Sequence, residues 1–206
     1  MIPTIAPYPV PTAAELPANR ASWRVDPDRA VLLIHDMQRH FLRFYAPGAE
    51  PLSTVLTNVN RLRAYCALTG VPVVYSAQPP AQSLDQRGLL QDFWGAGIAD
   101  EAGARIVDDL APAPGDTLLT KWRYSAFHRT DLAGLLDRHG RDQLVVCGVY
   151  GHIGVVATAC DAFMRDVQPF VVADAVADFS RAEHETAMAY AAGRCAVVTT
   201  TDAIVN

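Results

Sequence analysis

From Ala30 onward, short runs of β-branched and aliphatic residues alternate with longer stretches of helical period. That alternation is the pattern of a parallel sheet whose strands are joined by crossover helices. It predicts strands over 30–35 (AVLLIH), 71–77 (VPVVYSA), 117–120 (TLLT), 143–149 (QLVVCGV), 168–173 (QPFVVA) and 195–200 (CAVVTT). Between the first two, Leu52, Val55, Leu56, Val59, Leu62 and Cys66 recur at three- and four-residue steps and line one face of a helix. Further helices are expected over 130–139, ending at Gly140, over 153–166, and over 181–194 after a Ser180-x-x-Glu183 capping box. The predicted fold class is α/β, three layers α/β/α around a mostly parallel sheet of six strands.

A chain of 206 residues, half of them hydrophobic, suffices for one such domain, expected over 24–206. Residues 1–23 carry Pro3, Pro7, Pro9, Pro11 and Pro17 and read as an extended arm that either frays or wraps a partner subunit. With 17 basic and 22 acidic residues, the net charge of −5 leaves no basic block to neutralise phosphates, so nucleic acid is not expected as a partner. The four cysteines, Cys66, Cys147, Cys160 and Cys195, form no C-x-x-C pair and no disulfide framework. Reduced thiols, the lack of a signal-like N-terminus and the lack of a long apolar run predict a cytoplasmic protein with no membrane contact.

In open α/β sheets, ligands bind beyond the carboxyl ends of the strands. The residues just past the first four predicted strands are Asp36, Gln78, Lys121 and Tyr150, an acid, an amide, an ammonium and a phenol. Turn chemistry alone also favours Asp at such places. Lys121 is the only lysine among the 17 basic residues, which marks a place where a fork-shaped guanidinium does not substitute for a compact ammonium. Gly148-x-x-Gly151-x-x-Gly154 is not a dinucleotide fingerprint, and close helix–strand packing explains its small residues equally well. The histidines, among them His35, His40, His152 and His184, form no H-E-x-x-H and no Cys/His ligand pairs, so no metal site is expected.

The segments HDMQRHF (35–41), TKWRYSAFH (120–128), GVYGHIG (148–154) and VADAVADFSRAEH (172–184) resemble the isochorismatases of the isochorismatase-like hydrolase superfamily, in particular their siderophore and phenazine branches. The resemblance runs from the Pro-rich arm to the last strand. It implies hydrolysis of the enolpyruvyl vinyl ether of isochorismate or 2-amino-2-deoxyisochorismate, releasing pyruvate and a trans-dihydro-hydroxy-benzoate or -anthranilate. No cofactor is implied. It further implies Asp36 and Lys121 as the catalytic pair, with Gln78, Arg87, Tyr150, Gly151, Gly154, Phe41, Trp94 and Trp122 around the substrate. Gly154 stands where amide-hydrolysing relatives carry a nucleophilic cysteine. A cis peptide near Val149-Tyr150 and a homodimer or higher assembly are also implied.

The chemistry suits such residues. A vinyl ether is an electron-rich alkene, so one positioned carboxylic acid that protonates its terminal carbon, followed by water, is enough. Such an acid contributes about 10²–10⁴-fold in rate. Asp36 must then hold a proton near neutrality, although an unperturbed Asp titrates at about 3.9. Burial behind Val31–Ile34, Phe41, Phe93, Trp94 and Trp122 is expected to raise its pKa, and Lys121 opposes that. A small dicarboxylate substrate, matched by Lys121 and Arg87, would draw off the positive field. Two other readings are a cysteine amidohydrolase using Cys147 or Cys160, and a binding protein that kept the fold without the chemistry. Cys147 lies mid-strand and Cys160 six residues past the required position, so both read better as core.

Overall fold

The computed structural model describes residues 2–206. Six strands form one sheet: β1 (Ala30–His35), β2 (Val73–Ala77), β3 (Thr117–Thr120), β4 (Gln143–Val149), β5 (Gln168–Ala177) and β6 (Val197–Thr199). Their order is β3-β2-β1-β4-β5-β6 and every pair is parallel. Short helices α1 (Arg39–Leu42), α3 (Leu84–Arg87), α4 (Leu90–Trp94) and α5 (Glu101–Ala104) surround the carboxyl ends of β1 and β2, and the longer α2 (Leu52–Thr69) crosses between those strands. The remaining helices are α6 (Leu132–His139), α7 (Val156–Phe163), α8 (Arg181–Arg194) and α9 (Thr201–Val205).

The central strands β1 and β4 are buried along their whole length, as parallel strands covered on both faces must be. Alternate residues separate the two cores. Leu32 and Ile34 pack with Val55, Val59 and Leu62 of α2, whereas Val31 and Leu33 pack with Leu135, Leu136, Ala159, Ala187 and Met188 of α6, α7 and α8. Helix ends follow local chemistry: α2 and α6 stop at Gly70 and Gly140, both left-handed, and Ser180 caps α8 by accepting from the Glu183 amide. Gly148 permits the closest approach of β4 to β1, because a Cβ there would lie 2.2 Å from the His35 carbonyl oxygen.

The Pro-rich arm lies along its own chain, so the reading of a frayed end does not hold for the described residues. Ile5 bridges Tyr45, its amide donating to Phe44 O (2.9 Å), and Tyr8 is buried with its hydroxyl accepting from the Asp178 amide (2.7 Å). Asn19 pairs with Val198 through two hydrogen bonds of 2.8 and 2.9 Å.

Element boundaries moved where a polar residue interrupts an apolar run. β5 extends to Ala177 instead of ending at 173, because Asp174 turns its carboxylate to the amide and hydroxyl of Thr201 at the start of α9. The helix expected over 153–166 is a π-helical turn, Gly151–Val155, followed by the shorter α7.

Candidate active site

The strand order reverses between β1 and β4, and the crevice opens there, beyond the carboxyl ends. Asp36 follows β1 directly in the left-handed region, φ 51°. Asp tolerates that region better than most residues, and its amide donates to Ser76 O (3.1 Å) while its carbonyl accepts from the Gln38 amide (2.7 Å). The carboxylate is 4 % exposed. Its Oδ1 accepts from Ser76 Oγ (2.7 Å), and its Oδ2 from Lys121 Nζ (2.8 Å) and, more weakly, Gln78 Nε2 (3.4 Å).

Lys121 reaches this point because β3 delivers it: its amide donates to Ala77 O (2.8 Å), one residue past the β2–β3 pairing. Burial pushes the Asp36 carboxyl upward, but the Lys121 ammonium at contact distance wins and holds it below the usual carboxylate range. The free site therefore holds a carboxylate–ammonium pair. Both expected influences are present, and Lys121, aided by His35 and Ser76, outweighs the burial.

Gln38 orients the next member. It accepts from the Gln78 amide and donates to Gln78 O (both 2.8 Å) and to Ala104 O (2.7 Å). Gln78 Oε1 in turn accepts from Arg87 Nη1 (3.2 Å). Arg87, at the end of α3, is 4 % exposed and also donates to Gly95 O (2.8 Å). Its guanidinium has no carboxylate partner among the described residues.

The opposite wall comes from the end of β4. The Val149–Tyr150 peptide is cis. Tyr150 is buried, donates its phenol proton to Phe41 O (2.7 Å), stacks on Tyr45 and meets Phe179 edge-on. Phe41, Trp94, Gln78, Arg87, Lys121, Tyr150 and Gly154 all line the crevice with Asp36.

Two of the predicted residues do not. Gly151 faces away, where a Cβ would lie 2.7 Å from Asp178 Oδ2, so its smallness serves packing against that carboxylate. Asp178 accepts from the His152 amide (2.6 Å) and pairs with the His152 ring, an interaction that lifts the His152 pKa although burial opposes it. Trp122 is half-buried outside the lining, and its place is taken by Tyr124, which accepts from Trp94 Nε1 (2.8 Å). Phe93 is 71 % exposed and does not shield Asp36.

The sequence reading did not assign His35, His40, Tyr124, Ile153 or Phe179 to the lining. Phe179 lies two residues past the true end of β5, so the strand-end rule, which takes the residue directly after each strand, gives Asp178 there and not Phe179. His40 is held neutral, with burial and the nearby Arg43 and Arg87 pulling its pKa to about 4. Neither Cys147 nor Cys160 enters the crevice. Cys147 is fully buried and its thiol is pushed well up by that burial, so the site has no available thiolate. No group of His, Cys, Asp and Glu among the described residues could hold a metal ion.

The parallel α/β sheet thus brings an acid–ammonium pair and the glycine at 154 into one crevice at its switch point. The family model "Isochorismatase domain" matches residues 30–203, and the chain belongs to the isochorismatase family. The chain is 56 % identical to "Phenazine biosynthesis protein PhzD" of Pseudomonas fluorescens, over 99 % of this chain and 98 % of that one. It is 50 % identical to "Isochorismatase" of Bacillus subtilis strain 168, over 100 % of this chain and 66 % of that protein. A solved cysteine hydrolase from Pseudomonas syringae pv. phaseolicola superposes with TM-score 0.82 at 22 % identity, covering 92 % of this chain and 95 % of the other. That likeness carries the fold alone.

Proposed function

We propose that this protein hydrolyses the enolpyruvyl vinyl ether of an isochorismate-type dicarboxylate, releasing pyruvate, with Asp36 as general acid. The observation that carries this reading is the buried Asp36–Lys121 pair in the same crevice as Gly154, a carboxyl group set among lining residues that include no cysteine, serine or threonine. Hydrolysis there must proceed by proton delivery and water.

Charge arithmetic supplies the proton. Lys121 and Arg87 against Asp36 leave one positive charge in excess among the lining side chains, since His40 and His35 are held neutral by burial. A substrate with two carboxylates, its amino group, where it has one, entering uncharged, turns that into one negative charge in excess. Proton uptake by Asp36 restores neutrality, and the burial that already pushes its pKa up then prevails. The protonated Asp36 delivers to the terminal methylene carbon, water attacks the oxocarbenium carbon, and the hemiketal collapses to pyruvate and the ring alcohol. Gln78 and Arg87 hold the substrate through carboxylate contacts, and Phe41, Trp94 and Tyr150 pack on its ring.

The 56 % identity to a phenazine biosynthesis protein favours the 2-amino substrate over isochorismate. The reading includes a cytoplasmic homodimer or higher assembly, checked by light scattering on the purified protein. Incubation of the protein with isochorismate and with 2-amino-2-deoxyisochorismate, coupled to lactate dehydrogenase, tests the function: pyruvate from either supports it, and pyruvate from neither overturns it.

A further inference from the structure

His35 is the last residue of β1 and is 1 % exposed, yet it faces the crevice. Its Nδ1 lies 2.7 Å from Val149 O, a carbonyl, so Nδ1 carries the proton and donates. Burial, helped by the Lys121 charge, holds the ring neutral, although the Asp36 carboxylate and the backbone of Val149 and Tyr124 favour the charged form. Nε2 is therefore a bare lone pair, and it has no hydrogen-bond partner among the described residues. A buried acceptor without a donor calls for an occupant.

The ring also fills a defined space. A Cβ on Gly154 would lie 2.2 Å from His35 Cε1 and 2.8 Å from Nε2. The imidazole thus occupies the position from which a side chain at 154 would project, and Gly154 is required for it. Asp36 Oδ2 is 3.8 Å from Nδ1 of the same ring, and both side chains line the one crevice. An enolpyruvyl group carries neither O–H nor N–H. The only donor the reaction brings there is water.

Resting on the function proposed above, we infer that His35 is the general base: Nε2 takes a proton from the water as it attacks the enolpyruvyl carbon. The protons balance. Asp36 gives its proton to the methylene carbon, and the water oxygen bonds to the adjacent carbon while one of its protons passes to Nε2. The imidazolium forms just as Asp36 becomes a carboxylate beside it, so the two charges compensate. The hemiketal then breaks its bond to the ring oxygen, which takes the proton back from His35. The remaining hydroxyl proton returns to Asp36 as the pyruvate carbonyl forms.

The test uses the full-length protein and whichever compound the wild type consumes. His35→Ala is expected to lower kcat about 10²–10³-fold, the range of a general base. In the inactive Asp36→Asn background, adding His35→Ala is expected to change substrate affinity, read by calorimetry, by less than about threefold. His35→Gln keeps an acceptor near the Nε2 position but takes no proton, so it is expected to be as slow as His35→Ala; it carries the test alone if the alanine variant does not fold. Gly154→Ala must displace the ring, and combining it with His35→Gln should cost little more than either change. A folded His35→Gln variant within about fivefold of wild-type kcat, or a loss confined to KM, overturns the inference. Silence of the wild type itself would instead overturn the function on which it rests.

Discussion

Lys121 Nζ lies 2.8 Å from Asp36 Oδ2, although the strands that carry them never pair, because β2 runs between β1 and β3. The two side chains meet above the end of β2, where Ser76 holds the other carboxylate oxygen at 2.7 Å. This three-strand convergence fixes the acid with no freedom to rotate, and it sets what each substitution should do.

Asp36→Asn removes the proton donor while leaving an oxygen for Lys121 to bond. Pyruvate release is expected to fall by at least about 10²–10⁴-fold. Calorimetry should still detect substrate binding, since Arg87 and Lys121 remain.

Lys121→Met leaves the Asp36 carboxylate buried without its cation, and removing one partner of a buried pair costs about 3–5 kcal/mol. The sign with pH reverses between the two proteins. In the wild type Lys121 holds the Asp36 pKa low, so the stabilisation of the pair is present above about pH 3.9 and is lost as pH falls through the folded value. In Lys121→Met the largest influence holding the pKa down is gone and burial, the largest of all, prevails over His35 and Ser76 to raise it, so acid should relieve the variant. Urea midpoints at pH 7 and pH 4.5 are expected to show the gap to wild type narrowing at the lower pH.

Arg87 has no carboxylate partner among the described residues, and the proposed function gives it a substrate carboxylate. Arg87→Gln is expected to raise KM about tenfold, the order of one lost charge-assisted contact, with a smaller change in kcat. Steady-state kinetics separates the two.

His184 packs under the arm, its Nδ1 3.2 Å from Tyr8 Oη and its Nε2 donating to Ala173 O at 3.1 Å, and burial pulls its pKa to about 4. A histidine with a lowered folded value contributes stability that is fully present above about pH 6.5 and is lost as pH falls toward the folded value, on the order of 3 kcal/mol here. His184→Gln should therefore lose less stability than wild type between pH 7 and pH 4.5, measured as the shift in urea midpoint.

The strands and long helices were legible in the chain because burial on both faces writes itself as unbroken apolar runs and α2 as a three-four repeat. Asp36, Gln78, Lys121 and Tyr150 were legible by the same route, since each follows a strand. Asp174 hid the end of β5, because an acid that caps a neighbouring helix looks like a loop residue when only its own segment is read.

By itself, then, the order of residues determined the layered parallel sheet and its strand ends, which follow from local pattern and residue type. Only the tertiary structure decided that Lys121 rather than burial governs Asp36 in the free protein, that Gly151 serves Asp178 and not the crevice, and that the His35 ring fills the space beside Gly154. Those three depend on distances between segments far apart in the chain, where Coulomb energy and steric overlap change over an ångström and residue spacing carries no such information.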